Sequence, residues 1–233
     1  MKIGILNTDA VKPEFAVEFG EYPDMFARLL LEADSSIEFV TYEVVDGEYP
    51  AEIDEVDAYL ITGSKLSVYD DVPWIHALKE FVRTLHRAKK KLIGICFGHQ
   101  LVAEALGGKT LAAEQGWCVG VQQTRLTAQA AAFGPADAQF KLLSNHKDQV
   151  QKMATGGILL AATETCPIAM TAVGDHILTF QGHPEFDRGY AHALLDMRRE
   201  ILGEDIHRTA VETLQQETDN LQVARWILSF ISR

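Results

Sequence analysis

Along the first hundred residues, short apolar runs alternate with longer amphipathic stretches. Residues 3–6, 39–45, 58–62 and 91–95 read as strands. The first, third and fourth are nearly continuous apolar runs of the kind buried on both faces of a parallel sheet. Between them, residues 26–31 belong to a helix approached through Gly20 and Pro23, and Pro73 starts a helix that runs to about Lys90. This β-α alternation predicts an α/β fold, with a mostly parallel sheet flanked by helices on both faces. After Gly107 and Gly108 the texture changes. Shorter strands are expected at residues 119–124, 158–162, 168–173 and 177–180, separated by Gly-containing turns, so the sheet is expected to be mixed. Residues 128–138 are Ala-rich and read as a surface loop or short helix. From about Tyr190 the pattern is helical to Ile231, with Trp226, Ile227 and Phe230 as its docking face.

The heptapeptide G-I-C-F-G-H-Q, residues 94–100, lies where the fourth strand should turn into a helix at residues 101–106. It is the cysteine counterpart of the G-x-S-x-G nucleophile elbow. A thiol at a helix N-terminus has its thiolate stabilised by unpaired backbone N–H groups and the helix dipole. A buried structural thiol would need no such setting. The segment I-L-T-F-Q-G-H-P-E-F, residues 177–186, supplies partners for Cys96. In an extended chain, residues i and i+2 point the same way, so Glu185 can hold the imidazole of His183 while His183 faces the thiol. Nucleophile, base and orienter form the general triad logic.

At 233 residues and 47% apolar composition, the chain can bury one full core, so one domain spanning residues 1–233 is expected, with C-terminal helices over about 190–231. The formal charge of −12 excludes a nucleic-acid backbone as the expected partner, because phosphate binding needs clustered cations. The basic run Lys89-Lys90-Lys91 closes a predicted helix and reads as a solvated last turn. The three cysteines are too few and too scattered for a disulfide framework or a zinc site. Cys118 and Cys166 read as small buried hydrophobes. No apolar stretch is long enough to span a bilayer, and the N-terminal run is too short for a signal peptide. A cytoplasmic protein without membrane contact is the default that fits.

G-I-C-F-G-H-Q with a late G-H-P-E resembles the class I, triad-type glutamine amidotransferases, most of all the glutaminase domain of GMP synthetase and its stand-alone relatives. L-I-T-G-S, V-A-E-A-L-G-G-K, G-W-C-V-G-V and S-N-H-K-D-Q-V occur in the family's order, so the likeness covers nearly the whole chain. It implies a flavodoxin-like open sheet and a Cys96-His183-Glu185 triad. It also implies an oxyanion hole from the backbone around Gly63 and Phe97, and substrate contacts from Gln100, Ser64, Asn145 and His146. Where many synthetase-linked members carry Gly-Gly-Pro in the loop after the third strand, this chain has Thr62-Gly63-Ser64-Lys65. For Gln100 the alternative is a helix cap or core residue, and His99 reads as either a support for the site or a structural residue.

The implied substrate is glutamine or another γ-glutamyl compound, hydrolysed through a thioester on Cys96 without metal or organic cofactor. The chain contains no G-x-x-x-x-G-K-[ST] phosphate loop, so ATP-driven amination is not encoded in it. Three readings follow: a glutaminase that passes ammonia to a synthetase subunit, a γ-glutamyl hydrolase or peptidase complete in itself, and a non-catalytic interaction module. The intact Cys96, His183 and Glu185 argue against the third, and the GMP-synthetase-like texture favours the first.

Overall fold

The computed structural model describes residues 1–233. Its first strand, β1 (Lys2–Asn7), is followed by α1 (Pro13–Phe19), α2 (Tyr22–Ala33), β2 (Glu38–Glu43) and β3 (Ala58–Ile61). Then come α3 (Pro73–Arg87), β4 (Lys91–Ile95) and α4 (Phe97–Ala105). The second half contributes β5 (Lys109–Ala112), β6 (Cys118–Leu126), β7 (Gln139–His146), β8 (Asp148–Lys152), β9 (Gly157–Ala162), β10 (Met170–Val173) and β11 (Ile177–Phe180). The chain ends in α5 (Arg188–Met197), α6 (Arg199–Leu202), α7 (Glu204–Thr213) and α8 (Asn220–Ile231).

Nine strands form one sheet in the order β2-β1-β3-β4-β11-β10-β9-β6-β7, and β5 pairs with β8 in a small second sheet. The pairs from β2 to β11 are parallel, and β11-β10, β10-β9, β9-β6 and β6-β7 are antiparallel. The sheet is therefore mixed, as its sequence texture suggests. Strand alternation divides the core cleanly. Ile3, Ile5, Leu60, Ile93, Ile95, Leu178 and Phe180 pack on one face with Phe26, Leu30 and the α8 residues Val223 and Ile227. Leu6, Tyr59, Ile61, Leu92 and Ile177 pack on the other with Ile75, Leu78 and Val82 of α3 and Leu101 of α4. A third cluster joins Val119, Val121 and Leu143 to Phe19, Tyr190 and Leu194.

Several sequence expectations change. The helix α1 was not foreseen, although Pro13 in its first turn and Gly20 at its C-cap (φ 80°) bracket it. The strands β5, β7 and β8 were not foreseen either, because the run K-L-L-S-N-H-K-D-Q-V mixes polar and apolar residues without a clean period. The tenth strand begins at Met170, two residues later than expected. The Ala-rich segment holds only a short 3-10 turn at Ala128–Ala130. The C-terminal helical pattern is cut at Gly203, which sits at φ 78°, and again at the polar stretch 215–219 between α7 and α8. Of its expected docking face, Ile227 and Phe230 are buried, while Trp226 packs edge-on against Phe140. The basic run is split: Lys90 pairs with Asp54 at 2.9 Å, and Lys91 opens β4, its Nζ donating to the carbonyl oxygens of Asp175 and Phe230.

The elbow between β4 and α4 depends on two absent side chains. A Cβ on Gly94 would stand 2.7 Å from the backbone of Gly98, and a Cβ on Gly98 would stand 2.7 Å from the carbonyl oxygen of Ile61. Both neighbours are backbone and cannot swing away, so the helix can start this close to β3 and β4 only with glycine at each position. Gly98→Ala is therefore expected to lower stability by about 1–3 kcal/mol. Urea unfolding checks this, and an unchanged midpoint would show that the helix can retreat freely.

Candidate active site

Cys96 is the residue at which β4 becomes α4, with φ 51° and ψ −98°. Left-handed backbone at a non-glycine residue costs on the order of 1–3 kcal/mol. The cost is met by what surrounds it. The Cys96 N–H donates to the carbonyl oxygen of Phe180 in β11 at 2.8 Å, and the Cys96 carbonyl accepts from Gln100 N–H at 3.1 Å. The turn presents the thiol above the C-terminal end of the sheet, where ligands of open α/β folds bind. As the first helical residues, Phe97 and Gly98 have N–H groups with no intrahelical acceptor.

His183 follows β11, the strand next to β4, so the sheet order itself brings it to Cys96. Its backbone N–H donates to the Leu143 carbonyl at 2.8 Å, fixing the segment against β7. Its Nδ1 donates to Glu185 Oε1 at 2.7 Å, which leaves Nε2 for the thiol side. Both side chains are nearly inaccessible to solvent. Phe186 stacks on the imidazole with centroids 4.0 Å apart and planes 6° from parallel, so the ring cannot tilt. Burial works against a charged imidazole, yet the Glu185 carboxylate and a Cys96 thiolate together raise the His183 pKa to about 10.

Gly63 lies beside both groups: a Cβ there would be 3.1 Å from His183 Cε1 and 3.8 Å from Cys96 Cβ. Its loop is pinned by Thr8, whose hydroxyl donates to the Gly63 carbonyl at 2.8 Å, and by Lys65, whose N–H and Nζ both donate to Asp9. Ser64 Oγ accepts from Leu66 N–H within the loop, so this hydroxyl is engaged locally. Ser64, Gln100, Asn145 and His146 line one cavity with Cys96. Gln100 is buried, and its Nε2 donates to the Asp148 carbonyl at 2.7 Å and to Gln181 Oε1 at 3.2 Å. Its Nε2 is thus spent on fixing the cavity wall. His146 is held neutral by burial, reinforced by the nearby charge of His183, with its pKa lowered to about 3. A larger cleft lined by Gln123, Arg125, Asp137 and Glu164 contains none of these residues.

His99 is fixed inside the fold through both ring nitrogens. Its Nε2 donates to the Ile168 carbonyl at 3.0 Å, so Nδ1 must accept from the Thr179 hydroxyl at 2.7 Å. Burial lowers its pKa to about 4. Cys118 and Cys166 are buried, burial raises both thiols, and Cys166 is pushed up to about 12. Neither has the environment of a nucleophile.

Sequence reasoning missed four residues. Gln181 Nε2 donates to Cys96 Sγ at 3.6 Å, and its place two residues before His183 in extended chain was the available signal. Asp148 accepts from the Ser67 and Tyr69 hydroxyls and so ties the Gly63 loop to β8. Trp117 and Arg198 complete the cavity wall from the start of β6 and the end of α5; Trp117 falls within G-W-C-V-G-V, whereas nothing local marks Arg198.

The His183 pair has a pH signature. Because the folded pKa lies above the ordinary 6.5, its stabilising contribution is full below about pH 6.5 and is lost as pH rises through about 10. Glu185→Gln removes the carboxylate that holds the imidazolium. The alkaline limb of any His183-dependent activity should then fall by at least about one pH unit. A rate profile across the alkaline range reads this, and an unmoved limb would show that Glu185 does not set the base.

The model for glutamine amidotransferase class I matches residues 16–198. Gamma-glutamyl peptidase 4 of Arabidopsis thaliana is 32% identical over 212 residues, covering 86% of this chain and 81% of that protein. A putative glutamine amidotransferase-like protein of Schizosaccharomyces pombe is 31% identical over 243 residues, covering 98% of each. The crystal structure of a glutamine amido transferase from Methylobacillus flagellatus superposes with a TM-score of 0.73 at 19% identity, over 99% of this chain and 92% of that one, a likeness of fold. With the strand-end cysteine, the stacked histidine and its carboxylate already in place on that fold, the chain belongs to the class I glutamine amidotransferase family.

Proposed function

We propose that this chain hydrolyses the γ-amide bond of a γ-glutamyl compound through a thioester on Cys96. One observation carries the reading: a cysteine held at φ 51° at a helix N-terminus, beside a buried histidine that a carboxylate keeps protonated. Such an ion pair serves a nucleophile and costs a structural core several kcal/mol to bury.

The chemistry follows from the positions. The Cys96 thiolate attacks the γ-carbonyl carbon. Negative charge moves to the carbonyl oxygen, which the N–H of Phe97 and an N–H of the Gly63–Ser64 loop stabilise. The imidazolium of His183 gives its Nε2 proton to the leaving nitrogen, the C–N bond breaks, and a thioester remains. His183, now neutral, takes a proton from water as the water adds to the thioester, and glutamate leaves with Cys96 restored. Gln181 Nε2 stabilises the thiolate at both ends of the cycle.

The leaving amine divides two readings. That of a γ-glutamyl peptide is favoured by the relatives named gamma-glutamyl peptidase, which are 27–32% identical over 76–88% of this chain. Ammonia from glutamine, passed to a synthetase subunit, is favoured by the family model and by the end-to-end match to the amidotransferase-like protein of S. pombe. Cys96, His183 and Glu185 serve either leaving group.

Glutamate release from γ-glutamylcysteine, glutathione and glutamine separates them. The purified chain is expected to prefer the peptides, and Cys96→Ala to lose at least about a thousandfold in rate while keeping its circular dichroism spectrum. Glutamine as the best substrate would move the conclusion to the amidotransferase reading. Wild-type turnover by the alanine variant would sink both.

A further inference from the structure

Arg198 is an uncompensated cation in the wall of the Cys96 cavity. It caps the C-terminus of α5, and its Nη1 is buried without a protein acceptor. It makes no salt bridge. Burial lowers its pKa, and the groups that act against this are Tyr22, Tyr190, the Cys96 thiolate and Asp9. Of these, Asp9 already holds Lys65 at 2.7 Å. Trp117 lies under the guanidinium, 5.3 Å from ring centroid to Cζ, a cation-π contact that holds the head group in the cavity wall. The fork is not folded back on a carboxylate, and the half-buried side chain keeps Nη1 inside the cavity wall without an acceptor.

Its position sets which part of a substrate it meets. Tyr22 and Tyr190 share a hydrogen bond of 3.0 Å, Tyr190 packs on Phe186, and Phe186 stacks on His183. Arg198 ends the same helix that carries Tyr190, about two turns further on, and so lines the cavity from the α5 side, where Phe186 and His183 stand. Because His183 protonates the leaving nitrogen, whatever that nitrogen carries lies on this side. The wall built by Gln100, Asp148 and His146 comes from α4, β7 and β8 instead.

We propose that Arg198, held over Trp117, binds a carboxylate on the leaving-amine side of the substrate and so selects γ-glutamyl peptides with a free C-terminal carboxylate. This rests on the hydrolase reading above and adds the residue that sets its specificity. A guanidinium fork matches a carboxylate in two parallel hydrogen bonds, a geometry that a lysine ammonium cannot reproduce.

The test compares γ-glutamylglycine with γ-glutamylglycinamide, which differ only in that carboxylate. In wild type, kcat/KM is expected to favour the acid at least tenfold, through KM. In Arg198→Met the preference should collapse toward one, and Arg198→Lys should restore it only in part. Binding of both compounds to Cys96→Ala protein by calorimetry, with and without Arg198→Met, gives the same comparison without turnover. Equal loss on both compounds would overturn the proposal in favour of a structural role or a contact to the glutamyl α-carboxylate. No preference in wild type would overturn it outright. A wild type that binds and discriminates the two but turns over neither would keep Arg198 as the carboxylate site and reject the hydrolase reading instead.

Discussion

The backbone of Cys96 is the constraint on which the site depends. At φ 51° it stores strain that a free chain would release at once. Release is blocked on both sides. The residue before it is locked in β4 between β3 and β11, and the residue after it starts a helix lying against β3 through Gly98. The thiol is therefore aimed by the sheet rather than by its own rotamer. The same sheet order puts the end of β11 beside it, so the histidine arrives 87 residues later in sequence at the neighbouring strand end.

Electrostatics then sort the histidines of the interior. His99, His146 and His183 are all buried, and burial opposes charge on each. Of these three only His183 has a carboxylate within hydrogen-bond distance, so it alone among them keeps a proton at neutral pH. His99 spends its nitrogens on Thr179 and Ile168. The fold thus produces one charged imidazole among neutral ones, and places it against the one cysteine whose surroundings differ from those of a buried core thiol. Asp148 has a separate task, holding the Ser67–Tyr69 end of the Gly63 loop, so the carboxylates near the cavity are already committed.

What could be read from the sequence was local. The parallel half of the sheet showed itself in continuous apolar runs, and Cys96, His183 and Glu185 stood out because each lies in a short motif whose geometry follows from a turn or an extended pair. The residues that escaped notice act across the chain. Gln181 reaches Cys96 across 85 positions, and Asp148 reaches Ser67 across 81. Trp117 and Arg198 meet only because the chain after β11 returns over the strand end. The strands β7 and β8 were missed for a related reason. Their residues face a cavity as well as a core, and a polar lining erases the alternation by which strands are recognised.

The central claim is that Cys96, alone of the three cysteines, is a nucleophile set to receive a γ-glutamyl carbonyl. Its most direct test is brief exposure of the native protein to a γ-glutamyl chloromethyl ketone, followed by peptide mass spectrometry. One adduct is expected, on Cys96, suppressed by excess glutamate, with Cys118 and Cys166 unmodified until the protein is unfolded. An unmodified Cys96, or equal labelling of all three thiols, would contradict it.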